Sequence, residues 1–360
     1  DWKDSRQNDN SFIKWSNFLS KILRIEDDLL DQEDEFNPLE DDCYELIELF
    51  CIRRLIKQFS NLKDNSELLE RITQRKNSFW YKKHIHAYEA IKLAVELRNL
   101  IIENDLIVQS FENGLHQYCN IWWRIDRTYR RCVFHTRSYG QPGLMKPLKE
   151  WVENQYINNA LRPLTNNWSD QVKDLTHWSS VNLLSQKSFY TTYVHTPLTS
   201  SKLKRLFVVI SDALRYEAAH DFVDRLKSQS SKNWDAKINA LLGVLPSYTQ
   251  LGMASLLPGN KININIHDPN APTKVDGKSV TGTENRDKFF KEYLKGRSKA
   301  IQSEEFLNLS TSKEASQLFL DHDLIVVYHN RIDRIGDKLE SEAETCKAVE
   351  DSFEDLLKIL

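Results

Sequence analysis

Apolar residues recur at helical spacing through the first half of the chain. Phe12, Trp15, Leu19, Ile22 and Leu23 share one helix face, Tyr44, Ile47, Cys51 and Leu55 a second, and Tyr88, Ile91 and Val95 a third. Pro142, Gly143 and Pro147 break the pattern, and a further helix is expected from about Leu148. Long β-branched runs are missing here, and only Gly114, Gly140 and Gly143 of the ten glycines precede residue 200. Residues 1–200 are therefore expected to be all helical, with a sub-break near 140–147. The polar stretch Thr191–Lys202, which contains Pro197, is expected to be the domain boundary.

Beyond it the pattern changes. Leu206–Ser211 (LFVVIS) is a short β-branched run, and Ile238–Leu245, Ile262–Ile266, a run near Ala300 and Leu324–Tyr328 are further strand candidates. Helical patterns cover Ala213–Lys227, Leu251–Leu257, Asn285–Leu294 and Thr311–Leu320. Strands alternating with helices predict an α/β domain over residues 203–360, built on a mainly parallel sheet covered on both faces.

In such sheets functional groups collect at the carboxyl ends of the strands. Three features stand there. Asp212 directly follows LFVVIS, where a carboxylate can ligate a metal, or else cap the next helix. Pro246-Ser247-Tyr248-Thr249 opens a helix; a hydroxyl there can act as a nucleophile when a metal lowers its pKa, or cap the helix. Asp333-Arg334-Ile335-Gly336-Asp337 follows the last strand and sets two carboxylates four residues apart, suited to one cation or to a solvated turn. The conjunction of the three, each after its own strand, points to metal-assisted phosphoryl chemistry.

These residues carry a resemblance. The runs VVISDALRYE (208–217), LLGVLPSYTQLGMASLLPG (241–259) and YHNRIDRIGD (328–337) together resemble the PglZ family, components of BREX-type bacterial phage-defence systems and a branch of the alkaline phosphatase superfamily. The resemblance implies that residues 203–360 are the N-terminal part of an alkaline-phosphatase-like domain. It makes Asp212, Thr249, Asp333 and Asp337 metal ligands, with Thr249 the nucleophile of a Pro-x-x-Thr pattern. It implies two divalent ions, zinc or manganese; the Asp at 337, where relatives often have His, tilts the preference from zinc toward harder ions. The superfamily's later Asp-His and a further metal-binding His have no counterpart here. The chain thus reads as an N-terminal fragment, incomplete for catalysis, of a metal-dependent phosphodiesterase, with nucleic acid as the candidate substrate. The rival reading is a non-catalytic scaffold of the defence complex. Other BREX proteins are the expected partners.

Two further sets of residues are singled out. Arg215, three residues after Asp212, and His329, at the end of the last strand, stand where they can contact phosphate, or serve as a surface residue and a structural histidine. In WWRIDRTYRR (122–131), Arg124, Arg127 and Arg131 line one helix face with aromatics between, a pattern fit for DNA phosphates and stacked bases, or for a solvated face over core tryptophans.

Composition narrows this little. Hydrophobic residues make up 40% and charged residues 28%, an ordinary globular balance, and a net charge of −3 gives no global signal for nucleic acid. Ten acidic residues between Glu26 and Asp42, with no Lys or Arg among them, suggest an exposed connection. No apolar run is long enough to span a membrane, and five cysteines without a CxxC pair suggest reduced thiols, so a cytoplasmic protein with no membrane partner is expected. Walker A, GxGxxG and GxSxG signatures are absent.

Overall fold

The computed structural model describes residues 9–31, 41–59, 65–200, 203–229, 234–265, 267–268, 271–309, 312–338 and 344–360. It divides into two units, residues 1–109 with 120–171, and residues 110–119 with 172–360. Most of the acidic stretch between Glu26 and Asp42 lies outside the described residues.

The described part of the first unit is helical: α1 (Asp9–Ile22), α2 (Ile25–Asp31), α3 (Glu45–Phe59), α4 (Ser66–Arg75) and α5 (Ile85–Glu103). A short helix, α6 (Phe111–Gln117), belongs to the second unit; then come α7 (Trp123–Ser138), α8 (Pro142–Asn154) and α9 (Arg162–Val172). The predicted stripes of α3 and α5 are core, with Ile47, Cys51, Leu55, Tyr88, Ile91 and Val95 all buried. That of α1 is not: Trp15, Leu19, Ile22 and Leu23 are exposed. Pro142 opens α8 and Pro147 lies inside it, so the expected break holds at 140–141 and not beyond.

Between α3 and α4 a charge pair is buried. Glu48 and Arg75 are paired side by side, and Glu48 also accepts hydrogen bonds from Ser78 Oγ (2.8 Å) and Tyr88 Oη (2.5 Å). A buried carboxylate persists only when its lone pairs are filled in this way.

In the second unit the stretch expected as the domain boundary is helical as far as Ser200. Tyr190–His195 is a helical segment continued by α10 (Thr196–Ser200), and Tyr190 and Val194 lie four apart on one face, buried in the core. Pro197 lies within this continuous run, near its C-terminal end, where its missing N–H removes one helical bond.

The main sheet has three parallel strands in the order β1-β6-β5: β1 (Leu206–Ser211), β5 (Ser298–Gln302) and β6 (Leu324–His329). β6 is central and fully buried, as a strand covered on both faces must be. Its alternation divides the core. Leu324, Val326 and Tyr328 face a cluster with Met253, Phe289 and Phe290, while Ile325 and Val327 pack with Phe306, Phe319 and Ile359. The covering helices are α11 (Tyr216–Ser228), α12 (Thr249–Ser255), α13 (Thr283–Tyr293), α14 (Ser303–Leu307), α15 (Ser312–Asp321), α16 (Arg331–Gly336) and α17 (Thr345–Ile359).

Two predicted strands differ. Ile238–Leu245 keeps a strand's alternation, with Leu242 and Val244 buried and Gly243 and Leu245 exposed, but its one ladder contact is a parallel bridge from Leu242 to Ser185. Gly243 and Pro246 shorten the stretch that can pair. Of Ile262–Ile266, only Ile262 and Asn263 pair, as β2 in a separate antiparallel sheet with β3 (Lys274–Val275) and β4 (Lys278–Ser279); Ile266 is outside the described residues.

Candidate functional site

The carboxyl ends of β1 and β6 lie side by side in register, Ser211 opposite His329. The ladder continues one step further, because the Asp212 N–H donates to the His329 carbonyl at 2.8 Å. Asp212 is thereby fixed at the sheet edge. The chain then turns sharply: Ala213 takes the left-handed conformation (φ 59°) and its N–H donates to Asp212 Oδ1 at 3.0 Å. The helix α11 begins only at Tyr216, so Asp212 does not cap it. The Ala213 N–H leaves most of its carboxylate's acceptor capacity unused.

After β6 the chain enters α16 in place of the expected open turn. Asp333 and Asp337 are one helical turn apart, with the Asp337 N–H bonded to the Asp333 carbonyl at 2.9 Å, so both face the same side. Thr249 is the first residue of α12. Tyr248 precedes it, and no side-chain cap is formed there. The exposed Thr249 hydroxyl and the Asn330 side chain instead lie close enough to the Asp333 carboxylate to lower its pKa.

These carboxylates also feel one another's charge. Burial raises the Asp212 carboxyl above its ordinary value, and the charges of Asp333 and Asp337 raise it further, against the Ala213 N–H and Arg286, which lower it. Burial and the neighbouring Asp337 likewise raise Asp333, opposed by Asn330 and Thr249. Three carboxylates from two strand ends are thus close enough to repel one another, with an exposed hydroxyl among them. Excess negative charge on oxygen donors suits a hard divalent cation. The shell is nonetheless partial: among the described residues no three His, Cys, Asp or Glu side chains are grouped to hold one ion.

The remaining predicted residues lie elsewhere. Arg215 is exposed, just before α11. His329 is 2% exposed and turns away, with Nδ1 2.9 Å from Ser211 Oγ and Nε2 3.4 Å from Asp355 of α17. Asp355 in turn accepts from Arg331 Nε at 2.6 Å. Burial holds the His329 imidazole below its ordinary value, against the pull of Asp355. Arg124, Arg127 and Arg131 belong to the first unit. Arg124 is exposed, Arg127 lies 4.8 Å over the Trp123 ring, and Trp122 and Trp123 are buried core, so they do not offer faces to bases.

Sequence reasoning missed Arg286, Asn330 and Asp355. Asn330 had a signal, since an Asn just after a strand often bonds backbone or side chains of the next turn. Arg286 and Asp355 had none, because each arrives from a helix with no motif.

A parallel sheet bearing an acid and hydroxyl cluster at its carboxyl edge defines an alkaline-phosphatase-like α/β domain, and comparison with known proteins agrees. Residues 189–360 match the family described as the BREX system PglZ alkaline phosphatase-like domain. The chain is 31% identical over 318 residues to an alkaline phosphatase-like protein BrxZ of Escherichia coli O9:H4 (strain HS), covering 84% of this chain and 36% of that protein. It is 30% identical over 350 residues to an alkaline phosphatase-like protein PglZ of Bacillus cereus (strain H3081.97), covering 96% of this chain and 40% of that one. The chain belongs to the PglZ family. It spans well under half the length of these relatives. No helix among its described residues is long and apolar enough to cross a membrane.

Proposed function

We propose that this chain carries the nucleophile and the first metal-binding carboxylates of a metal-dependent phosphoesterase that serves a BREX phage-defence system, acting on phosphodiesters, nucleic acid among them. The observation that carries this reading is that Asp212, Asp333 and Asp337 feel one another's charge at the carboxyl edge of the sheet, with the Thr249 hydroxyl close enough to Asp333 to lower its pKa. Asp212, Asp333 and Asp337 would hold the divalent ions, two of them, zinc or manganese. Bound there, the ions would supply Lewis acidity toward phosphoryl oxygens.

The chain's own residues account for the rest. Thr249 Oγ bonds to phosphorus, the ester oxygen departs with the electron pair of its P–O bond, and the hydroxyl proton passes to the neighbouring Asp333 carboxylate. Water then frees the phosphothreonine.

The test is hydrolysis of bis(p-nitrophenyl) phosphate by the full-length protein with zinc or manganese. Thr249→Ala should cut turnover by roughly 10³-fold or more, since the covalent route is removed. Turnover that survives in Thr249→Ala would end this mechanism.

A second reading, a non-catalytic interaction module, draws support from the partial ligand shell. It predicts that Thr249→Ala leaves phage defence intact, whereas the enzymatic reading predicts its loss while the complex still assembles. Contact of Arg124, Arg127 and Arg131 with DNA is a subsidiary proposal; replacing them should reduce the salt dependence of DNA binding.

A further inference from the structure

The second unit buries a cation that the chemistry above leaves unused. Arg286 stands in the first turn of α13 and is half-buried. Its helix is pinned to the sheet, because Asp287 accepts the Ala300 N–H of β5 at 2.7 Å. The guanidinium carbon lies 4.1 Å from the centroid of the Tyr328 ring, on the next-to-last residue of β6. One terminal nitrogen reaches Thr283 Oγ1 at 3.5 Å, the outer limit of a hydrogen bond. Nε is buried with no hydrogen-bond partner, and so is Tyr328 Oη, on a side chain 3% exposed. Two buried polar atoms without a protein hydrogen-bond partner, on side chains stacked against each other, therefore lie at the carboxyl end of the central strand.

Folded proteins rarely leave such groups unmatched, and a guanidinium offers five N–H donors that need acceptors. Among the described residues no carboxylate lies within ion-pair distance of Arg286. Asp212 is nonetheless near enough that each feels the other's charge. Burial pulls the guanidinium below its ordinary value, opposed by Tyr328 and Asp212. The cation is thus stacked, held at the rim of the acid cluster, and short of an oxygen acceptor. A planar fork of N–H donors in this state matches the nonbridging oxygens of a phosphoryl group.

We propose that Arg286, backed by Tyr328, is the anion receptor of this site and donates from its terminal nitrogens to nonbridging oxygens of the substrate's phosphoryl group. The inference rests on the phosphoesterase reading and adds the group that binds the substrate's charge directly. Arg286 is a substrate-binding residue here; it does not ligate metal and moves no proton.

The test uses the full-length protein with saturating zinc or manganese, bis(p-nitrophenyl) phosphate as substrate and inorganic phosphate as inhibitor. Variants are Arg286→Met, which keeps an apolar stem over Tyr328, Arg286→Lys, and Thr249→Ala as control. Arg286→Met should raise KM and weaken phosphate inhibition by about tenfold or more, with metal affinity unchanged, and Arg286→Lys should recover part of the loss. Phosphate inhibition within twofold of wild type, in a wild-type protein whose turnover depends on Thr249, overturns this inference and leaves the phosphoesterase reading standing. Phosphate affinity that falls only in step with metal affinity also overturns it, since Arg286 would then merely position Asp212. Wild-type protein that neither binds phosphate nor shows Thr249-dependent turnover removes both readings. If Arg286→Met fails to fold, Arg286→Lys decides alone, on the same two affinities.

Discussion

His329 can be made to tell a positioning residue from a phosphate ligand. It is buried behind the site, joined to Ser211 of β1 on one side and Asp355 of α17 on the other. Replacing it with Leu fills much of the same volume and removes both bonds. Ser211 Oγ, on a half-buried residue, then loses its partner, while Asp355 keeps Arg331. Losing these two contacts costs about 1–2 kcal/mol. For a unit of about 200 residues, that is a fall in melting temperature of roughly 2–8 °C. The pH dependence has a definite sign. The folded-state pKa of His329 lies below its unfolded value, so the neutral ring's contribution is full above about pH 6.5. It is lost as the pH falls toward and through the lowered value. Leucine should flatten that acid limb. The assay is differential scanning calorimetry of both proteins across this range, paired with KM for a phosphodiester. A His329→Leu protein with unchanged melting temperature and a raised KM would refute the reasoning and restore His329 as a phosphate contact.

Three other outcomes follow from particular contacts. Glu48→Leu removes the carboxylate from Arg75, which is 1% exposed, and should cost about 3–5 kcal/mol in denaturant unfolding of the first unit; a loss under about 1 kcal/mol would mean the guanidinium finds water. Asp212 and Asp333 have raised pKa values, so their contribution to stability is greatest when they are protonated and is lost as pH rises through those values; added zinc or manganese should therefore raise the melting temperature more at about pH 7 than at about pH 4.5. Equal shifts at both pH values would count against metal binding by these carboxylates. Gly259 has φ +143°, and a Cβ there would meet Val275 Cγ1 at 2.3 Å. Gly259→Ala should cost roughly 1–3 kcal/mol and loosen the turn in which Asp276 accepts the Lys261 N–H, while a loss below about 0.5 kcal/mol in urea unfolding would show that Val275 gives way.

What the sequence made legible depended on how much of each feature was local. β1 and β6 are short, mainly apolar runs with Val and Ile at their centres, and β6 is buried on both faces, so both were readable to within a residue. The helical stripes of α3 and α5 were readable for the same reason. Ile238–Leu245 was not, since alternation reports which side chains are buried and is silent on whether a neighbouring strand is there to pair. The helix through Thr191–Ser200 was not read because Pro197 was weighed as a breaker, although the Tyr190–Val194 pair already marked a buried face.

The site divides along the same line. Asp212, Thr249, Asp333 and Asp337 were legible because each follows a strand-like run in the chain, and position after a strand is a local property. That they meet depends on β1 and β6 being neighbours in register, with Ser211 opposite His329, and a pairing across more than a hundred residues leaves no local mark. Strand parity then decides what the two adjacent residues at the end of β6 can do. Tyr328 points to the face where Arg286 lies, and His329 to the opposite face, toward Asp355. A one-residue shift of that register would exchange the two, burying the tyrosine against α17 and turning the imidazole toward the cation. Parity thus sets the histidine between Ser211 and Asp355, and puts the arginine that carried no motif over the Tyr328 ring.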